Sequence, residues 1–203
     1  MHFADDYAPP TPVAAADRMP LLTPEQRAQY GELGWVVVPS VFTPEELAPL
    51  HAACDELLAG VGPLIPSNPR IQIEPETLDW DAPVVRKVEP VIDASPGLAA
   101  LADEPRMKQA AADVLGEECF LYEDKLNFKP PKVGSSYPLH QDRSYWMQLA
   151  PGIPSTDRLV TVTVLLDDAT VENGCLRLVS GSHRGLMELQ EVRFSIDFPT
   201  FQA

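Results

Sequence analysis

In the stretch Tyr137-Pro138-Leu139-His140-Gln141-Asp142-Arg143-Ser144-Tyr145-Trp146, an imidazole and a carboxylate stand two positions apart. Residues i and i+2 of an extended chain project from the same face, so His140 and Asp142 could reach one divalent metal together. A nitrogen and a carboxylate oxygen are two sites of the facial set of two histidines and one carboxylate that suits non-haem Fe(II). His-x-Asp also arises by chance, and a solvated loop with an incidental ion pair has the same spacing. The elements around the pair decide between these readings.

The helices announce themselves by their starts. Thr23-Pro24-Glu25-Gln26 offers a cap, a proline at the first helical position and a glutamine to close a capping box, which predicts a helix to about Leu33, stopped by Gly34. Thr43-Pro44-Glu45-Glu46 repeats the signal, and Leu47, Leu50, Cys54, Leu57 and Leu58 then mark one face of a helix ending near Gly60. His51 lies between these apolar positions and reads as a boundary residue. Leu98 to Leu115 reads as helical with an interruption near Pro105 and a stop at Gly116.

Strands are expected at Trp35–Val38, at Ile71–Ile73, at Val84–Val88 and, in the second half, at Cys119–Phe128, Leu159–Asp167 and Cys175–Val179. Cys119 to Phe128 carries Leu121, Glu123, Lys125, Asn127 and Lys129 on one face. That polar side either lines a wet cavity or faces solvent, as antiparallel sheets allow. Helices first and antiparallel strands later make an α+β chain whose strands fold into a double-sheet jelly roll, with the N-terminal helices on one sheet.

Composition narrows the function classes. With 30 acidic against 15 basic residues the formal charge is −15, which repels phosphate backbones and anionic lipid surfaces; neither nucleic acid nor membrane is an expected partner. No apolar run reaches the ~18 residues a spanning helix needs, and no basic-then-apolar leader opens the chain, so the expected location is cytoplasmic. Cys54, Cys119 and Cys175 are odd in number and far apart, which predicts reduced thiols rather than a disulfide framework. Residues 1–20 hold four prolines and few large apolar groups and are expected to form a flexible arm, leaving 21–203 as a single domain. The proline-dense stretch 61–83 reads as a loop-rich cover.

An ordered series of segments surrounds the His-x-Asp pair. Lys125-Leu126-Asn127-Phe128-Lys129-Pro130-Pro131 precedes it, and Val160-Thr161-Val162-Thr163-Val164-Leu165-Leu166-Asp167-Asp168 follows. Glu172-Asn173-Gly174-Cys175-Leu176-Arg177 and Ser180-Gly181-Ser182-His183-Arg184 complete it. From Leu22 to Gly185 this series resembles the phytanoyl-CoA dioxygenase family, which includes ectoine hydroxylase. The resemblance implies a double-stranded β-helix core, Fe(II) held by His140 and Asp142, and a hydroxylation of a small molecule by O₂ coupled to decarboxylation of 2-oxoglutarate to succinate. It implies Lys129, and less directly Lys87, as cations for 2-oxoglutarate; Lys129 beside the Pro-Pro turn is equally compatible with a surface lysine. Related halogenases lack the carboxylate that Asp142 supplies, so the resemblance implies hydroxylation or another oxidation rather than halogenation.

Around that centre, Thr163 or Thr161 could add a hydroxyl to the cosubstrate site, and Asn127 shares a strand face with Lys129. Tyr137, Gln141 and Trp146 are candidate walls of the substrate pocket, since rings and amides give apolar shape with a few placed polar groups. Tyr145 and Trp146 could equally be core. In the resembled family the third iron ligand is a histidine on a later strand, accompanied by an arginine for the far carboxylate of 2-oxoglutarate. His183 sits in a turn that is generally not that ligand. The expectation is therefore a chain whose last strands, third ligand and arginine come from further sequence or a second polypeptide. A different class, a catalytically silent jelly-roll binding module lacking the complete iron site, stands as the alternative.

Overall fold

The computed structural model describes residues 19–61, 70–134, 136–143 and 158–185, and the backbone of 196–197. Residues 1–18 of the expected arm, residues 62–69 of the cover over 61–83, and Tyr145 and Trp146 lie outside these residues.

Among the described residues, four α-helices form where their starts are written. Helix α1 spans Pro24–Leu33, with Thr23 and Gln26 satisfying each other's backbone N–H groups, and ends on Gly34 at φ 84°. Helix α2 spans Pro44–Val61, and Thr43 and Glu46 exchange the same pair of capping bonds at 3.3 and 2.8 Å. The expected interruption near Pro105 divides the third helical run into α3, Pro96–Ala102, capped by Ser95, and α4, Pro105–Leu115, stopped by Gly116 at φ 71°.

The strands are shorter than the sequence suggests. β1 (Ile71–Ile73), β2 (Val85–Val88) and β3 (Leu126–Asn127) form an antiparallel sheet in the order β1-β2-β3. β4 (Leu178–Val179) pairs with β5 (Ile196–Asp197). Trp35–Val38 and Leu159–Asp167 carry no ladder among the described residues, and of Cys119–Phe128 only Leu126–Asn127 pairs. Alternation and β-branching show what fits a pleated surface, whereas a ladder also needs a partner at the right register.

Register explains one feature of the site. Gln72 stands opposite Lys87, but Ile73 stands opposite Val85, so Arg86 is the extra residue of a bulge. Regular alternation would turn Val85 and Val88 to opposite faces. The bulge resets the pleat, both valines are buried at 8% and 1% exposure, and Arg86 is aimed elsewhere.

The core lies between α2, α3 and one face of the three-stranded sheet. Leu47, Leu50, Ala53 and Cys54 of α2 meet Val85 and Val88 of β2, Val91 and Leu98, with Ile71, Ile73, Leu126, Phe128 and Leu166 around them. Gly97 lets α3 approach α2, because a Cβ there would lie 2.8 Å from that of Ala53. Leu57 packs at the margin of this core, and Leu58 is exposed. All three cysteines are free thiols; burial pushes the Cys54 thiol pKa up, which keeps it unreactive.

Candidate metal centre

Between β3 and β4 the chain presents His140 and Asp142 together, with His140 Nε2 3.2 Å from Asp142 Oδ1. Each side chain is held by its outer atom. His140 Nδ1 lies 2.8 Å from the Pro138 carbonyl oxygen, so Nδ1–H donates there and Nε2 is left facing Asp142. Thr161 Oγ1 donates to Asp142 Oδ2 at 3.1 Å, leaving Oδ1 facing His140.

The donor set fits a divalent transition metal. Ligand nitrogens and carboxylate oxygens sit ~2.0–2.2 Å from such an ion, so two donors at right angles about it lie ~3 Å apart, near the separation seen here. Among the described residues no group of three or more His, Cys, Asp and Glu side chains gathers around one point. His140 and Asp142 are thus a two-donor arrangement as far as these residues go.

Gln141 fixes the loop laterally: its amide N–H groups donate to the carbonyls of Ser182 and Gly185 at 2.7 and 2.8 Å. The turn it grips is tied in turn to α1. Gly181 N–H donates to Leu33 O at 2.7 Å, Arg184 donates to Glu32 O at 2.9 Å, and His183 Nε2 lies 3.2 Å from Gly31 O. His183 therefore serves the C-terminal carbonyls of α1. His51 similarly meets Leu166 O at 2.8 Å.

Tyr137, three residues before His140, is the centre of a second group. The Arg86 guanidinium stacks on its ring at 3.8 Å, and Lys129 Nζ lies 5.5 Å from the ring centroid and close to Gly174. Behind Arg86 stands Glu74, 2% exposed, with a carboxylate oxygen 3.9 Å from the guanidinium. The Tyr137 hydroxyl is buried with no hydrogen-bond partner among the described residues. Neither Arg86 nor Glu74 is marked by the sequence; the signal that brings them in is the bulge, which has no local signature.

The remaining candidates lie on the sheet. Asn127 of β3 stands opposite Lys87 of β2. Lys87 forms an ion pair with Glu89, whose pKa is raised by burial and by neighbouring Glu123 while Lys87 opposes the rise. Thr163 is exposed in the segment that carries Thr161. The structure thus gathers His140, Asp142 and Thr161 at one place and Tyr137, Lys129 and Arg86 at another, with Lys87 and Asn127 paired on the sheet.

Fold and site define a mixed helix-and-sheet protein with a candidate nitrogen-and-carboxylate metal centre. Residues 30–202 match the phytanoyl-CoA dioxygenase (PhyH) family, and the chain belongs to it. Ectoine dioxygenase of Sphingopyxis alaskensis is 30% identical over 163 residues, which is 80% of this chain and 50% of that protein. L-proline trans-4-hydroxylase of Streptomyces griseoviridis is 28% identical over 170 residues, 83% of this chain and 58% of that protein. The chain spans about half the length of the curated relatives it matches. The crystal structure of EctD from S. alaskensis with 2-oxoglutarate and 5-hydroxyectoine is similar at a TM-score of 0.75 and 28% identity, covering 94% of this chain and 67% of that one.

Proposed function

We propose that this chain is part of an Fe(II)- and 2-oxoglutarate-dependent oxygenase that hydroxylates a small molecule. One observation carries the reading: in a member of this family, His140 Nε2 and Asp142 Oδ1 converge at 3.2 Å while their outer atoms are engaged by Pro138 and Thr161. The likeness to EctD with 2-oxoglutarate supports the cosubstrate and a double-stranded β-helix core, with residues 21–203 as one oxygenase domain. When bound, Fe(II) supplies the site at which 2-oxoglutarate and O₂ meet and at which substrate oxidation is coupled to succinate formation.

The chain's own residues take the following roles. His140 and Asp142 are metal ligands. Lys129 is the cation we assign first to a 2-oxoglutarate carboxylate, since among the described residues no carboxylate pairs with it, whereas Glu89 already engages Lys87. Thr163 and Asn127 complete the cosubstrate side, Thr161 being occupied by Asp142. Tyr137, Gln141 and Trp146 are assigned to the substrate side, where Gln141 also anchors the motif loop to the 181–185 turn.

Anaerobic addition of Fe(II) and 2-oxoglutarate is expected to give the weak visible charge-transfer band of the chelate, and O₂ with substrate to release succinate. Absence of the band from both this chain and the full-length protein rejects the assignment. A band without succinate release coupled to O₂ uptake leaves the silent binding module.

A further inference from the structure

We infer that Thr161 is a positioning residue for the metal-binding carboxylate: its hydroxyl restricts Asp142 to offering a single oxygen, Oδ1, beside His140 Nε2. The inference rests on the metal reading above and adds to it the device that sets how Asp142 binds.

A carboxylate near a divalent cation can bind through one oxygen or both, and the two modes leave different numbers of positions open. A facial set of three single-atom donors leaves three sites of an octahedron, enough for a two-oxygen cosubstrate and one further ligand. A chelating aspartate would take one of these. Something must therefore engage the second oxygen, and Asp142 Oδ2 accepts from Thr161 Oγ1 at 3.1 Å while Oδ1 lies 3.2 Å from His140 Nε2. Fixing Oδ2 also fixes the plane of the carboxylate, and so the direction in which Oδ1 points.

Threonine suits the task. Its β-branch restricts χ1, so the hydroxyl samples few directions, and it projects from a segment nineteen residues beyond Asp142, independent of the motif loop. The loop itself is braced from the other side by the two bonds from Gln141 to Ser182 and Gly185. On His140 the Pro138 carbonyl plays the corresponding part. Outer contacts of this kind typically change metal affinity 10–100-fold when removed.

Co(II) is the probe, because its visible bands report both occupancy and geometry. Parent, Thr161→Val, which keeps the shape and loses the hydroxyl, and Thr161→Ser, which keeps the hydroxyl, are titrated alongside metal-free thermal unfolding; Thr161→Ala stands in should the valine variant misfold. The hydroxyl-free variant is expected to bind Co(II) about 10-fold or more weakly with displaced bands. Thr161→Ser should return to near-parent affinity and spectrum, and the exposed position should leave the metal-free melting temperatures close together. Parent-like affinity and bands without the hydroxyl overturn the inference, and so does a serine variant as impaired as valine. The titrations are made on the full-length protein, and a full-length parent that binds no Co(II) removes the metal reading, and this inference with it.

Discussion

Tyr137 shows at the scale of one residue how the site's surroundings are held and what they cost. Its ring face receives the Arg86 guanidinium at 3.8 Å, a contact worth ~0.5–2 kcal/mol depending on desolvation. Its hydroxyl is buried without a partner among the described residues, and an unpaired buried hydroxyl costs about 1–3 kcal/mol. The two effects separate by substitution. Tyr137→Phe keeps the stacking surface and removes the orphaned hydroxyl, so it should raise the melting temperature. Tyr137→Leu loses the ring and should lower it. A phenylalanine variant less stable than the parent would show that the hydroxyl is satisfied in solution. The residue was legible as a pocket candidate from its place beside His140, but its partners were not, because Arg86 reaches it through a bulge and Glu74 braces Arg86 from a different strand end.

Among elements, the legible ones are those whose instructions are local. Thr23, Gln26, Thr43 and Glu46 write their capping boxes within four residues, and Pro105 divides α3 from α4 as its missing N–H requires. Strands need partners distant in sequence, which is why Leu159–Asp167 reads as a strand and carries no ladder among the described residues. The junction of α1 with the 180–184 turn is likewise non-local. In the sequence Gly34 marks only a helix stop, yet its φ of 84° is one that side chains adopt reluctantly, and a Cβ there would lie 2.3 Å from His183 Nδ1. Gly34→Ala therefore meets two penalties, the left-handed backbone at ~1–2 kcal/mol and displacement of His183 from the Gly31 carbonyl. Loss of at least ~1 kcal/mol is expected in denaturant unfolding. Gly116→Ala is the control, since its φ is also positive and a Cβ there would meet nothing within 4 Å; equal losses at both glycines would mean that the His183 contact contributes nothing.

For the whole molecule, a formal charge of −15 means that positive side chains hold separate elements together against a repulsive background. Arg106, at the start of α4, is the clearest instance. It bonds Glu104, reaches Glu46 at the start of α2 and the Val41 carbonyl, and covers the Phe42 ring at 4.3 Å. Hydrogen bonding to Arg106 is the main cause that holds both the Glu46 and the Glu104 pKa below the ordinary glutamate value, and the same two partners raise that of Arg106. A depressed folded-state pKa contributes stability that is present above the unfolded value, about 4.3, and is lost as pH falls through the folded one. Acid also relieves the general repulsion among carboxylates, so the parent's melting curve alone mixes opposing trends. The difference between parent and Arg106→Met isolates the cluster, because the background is nearly common to both. That difference should be largest near neutral pH and shrink as the medium is acidified below about pH 4. It should not vanish, since the Val41 bond and the Phe42 contact do not titrate. A difference in melting temperature that stays constant from pH 7 to pH 3 would show that Arg106 acts through packing and the backbone carbonyl alone, and that its two glutamates add nothing to the joint between α2 and α4.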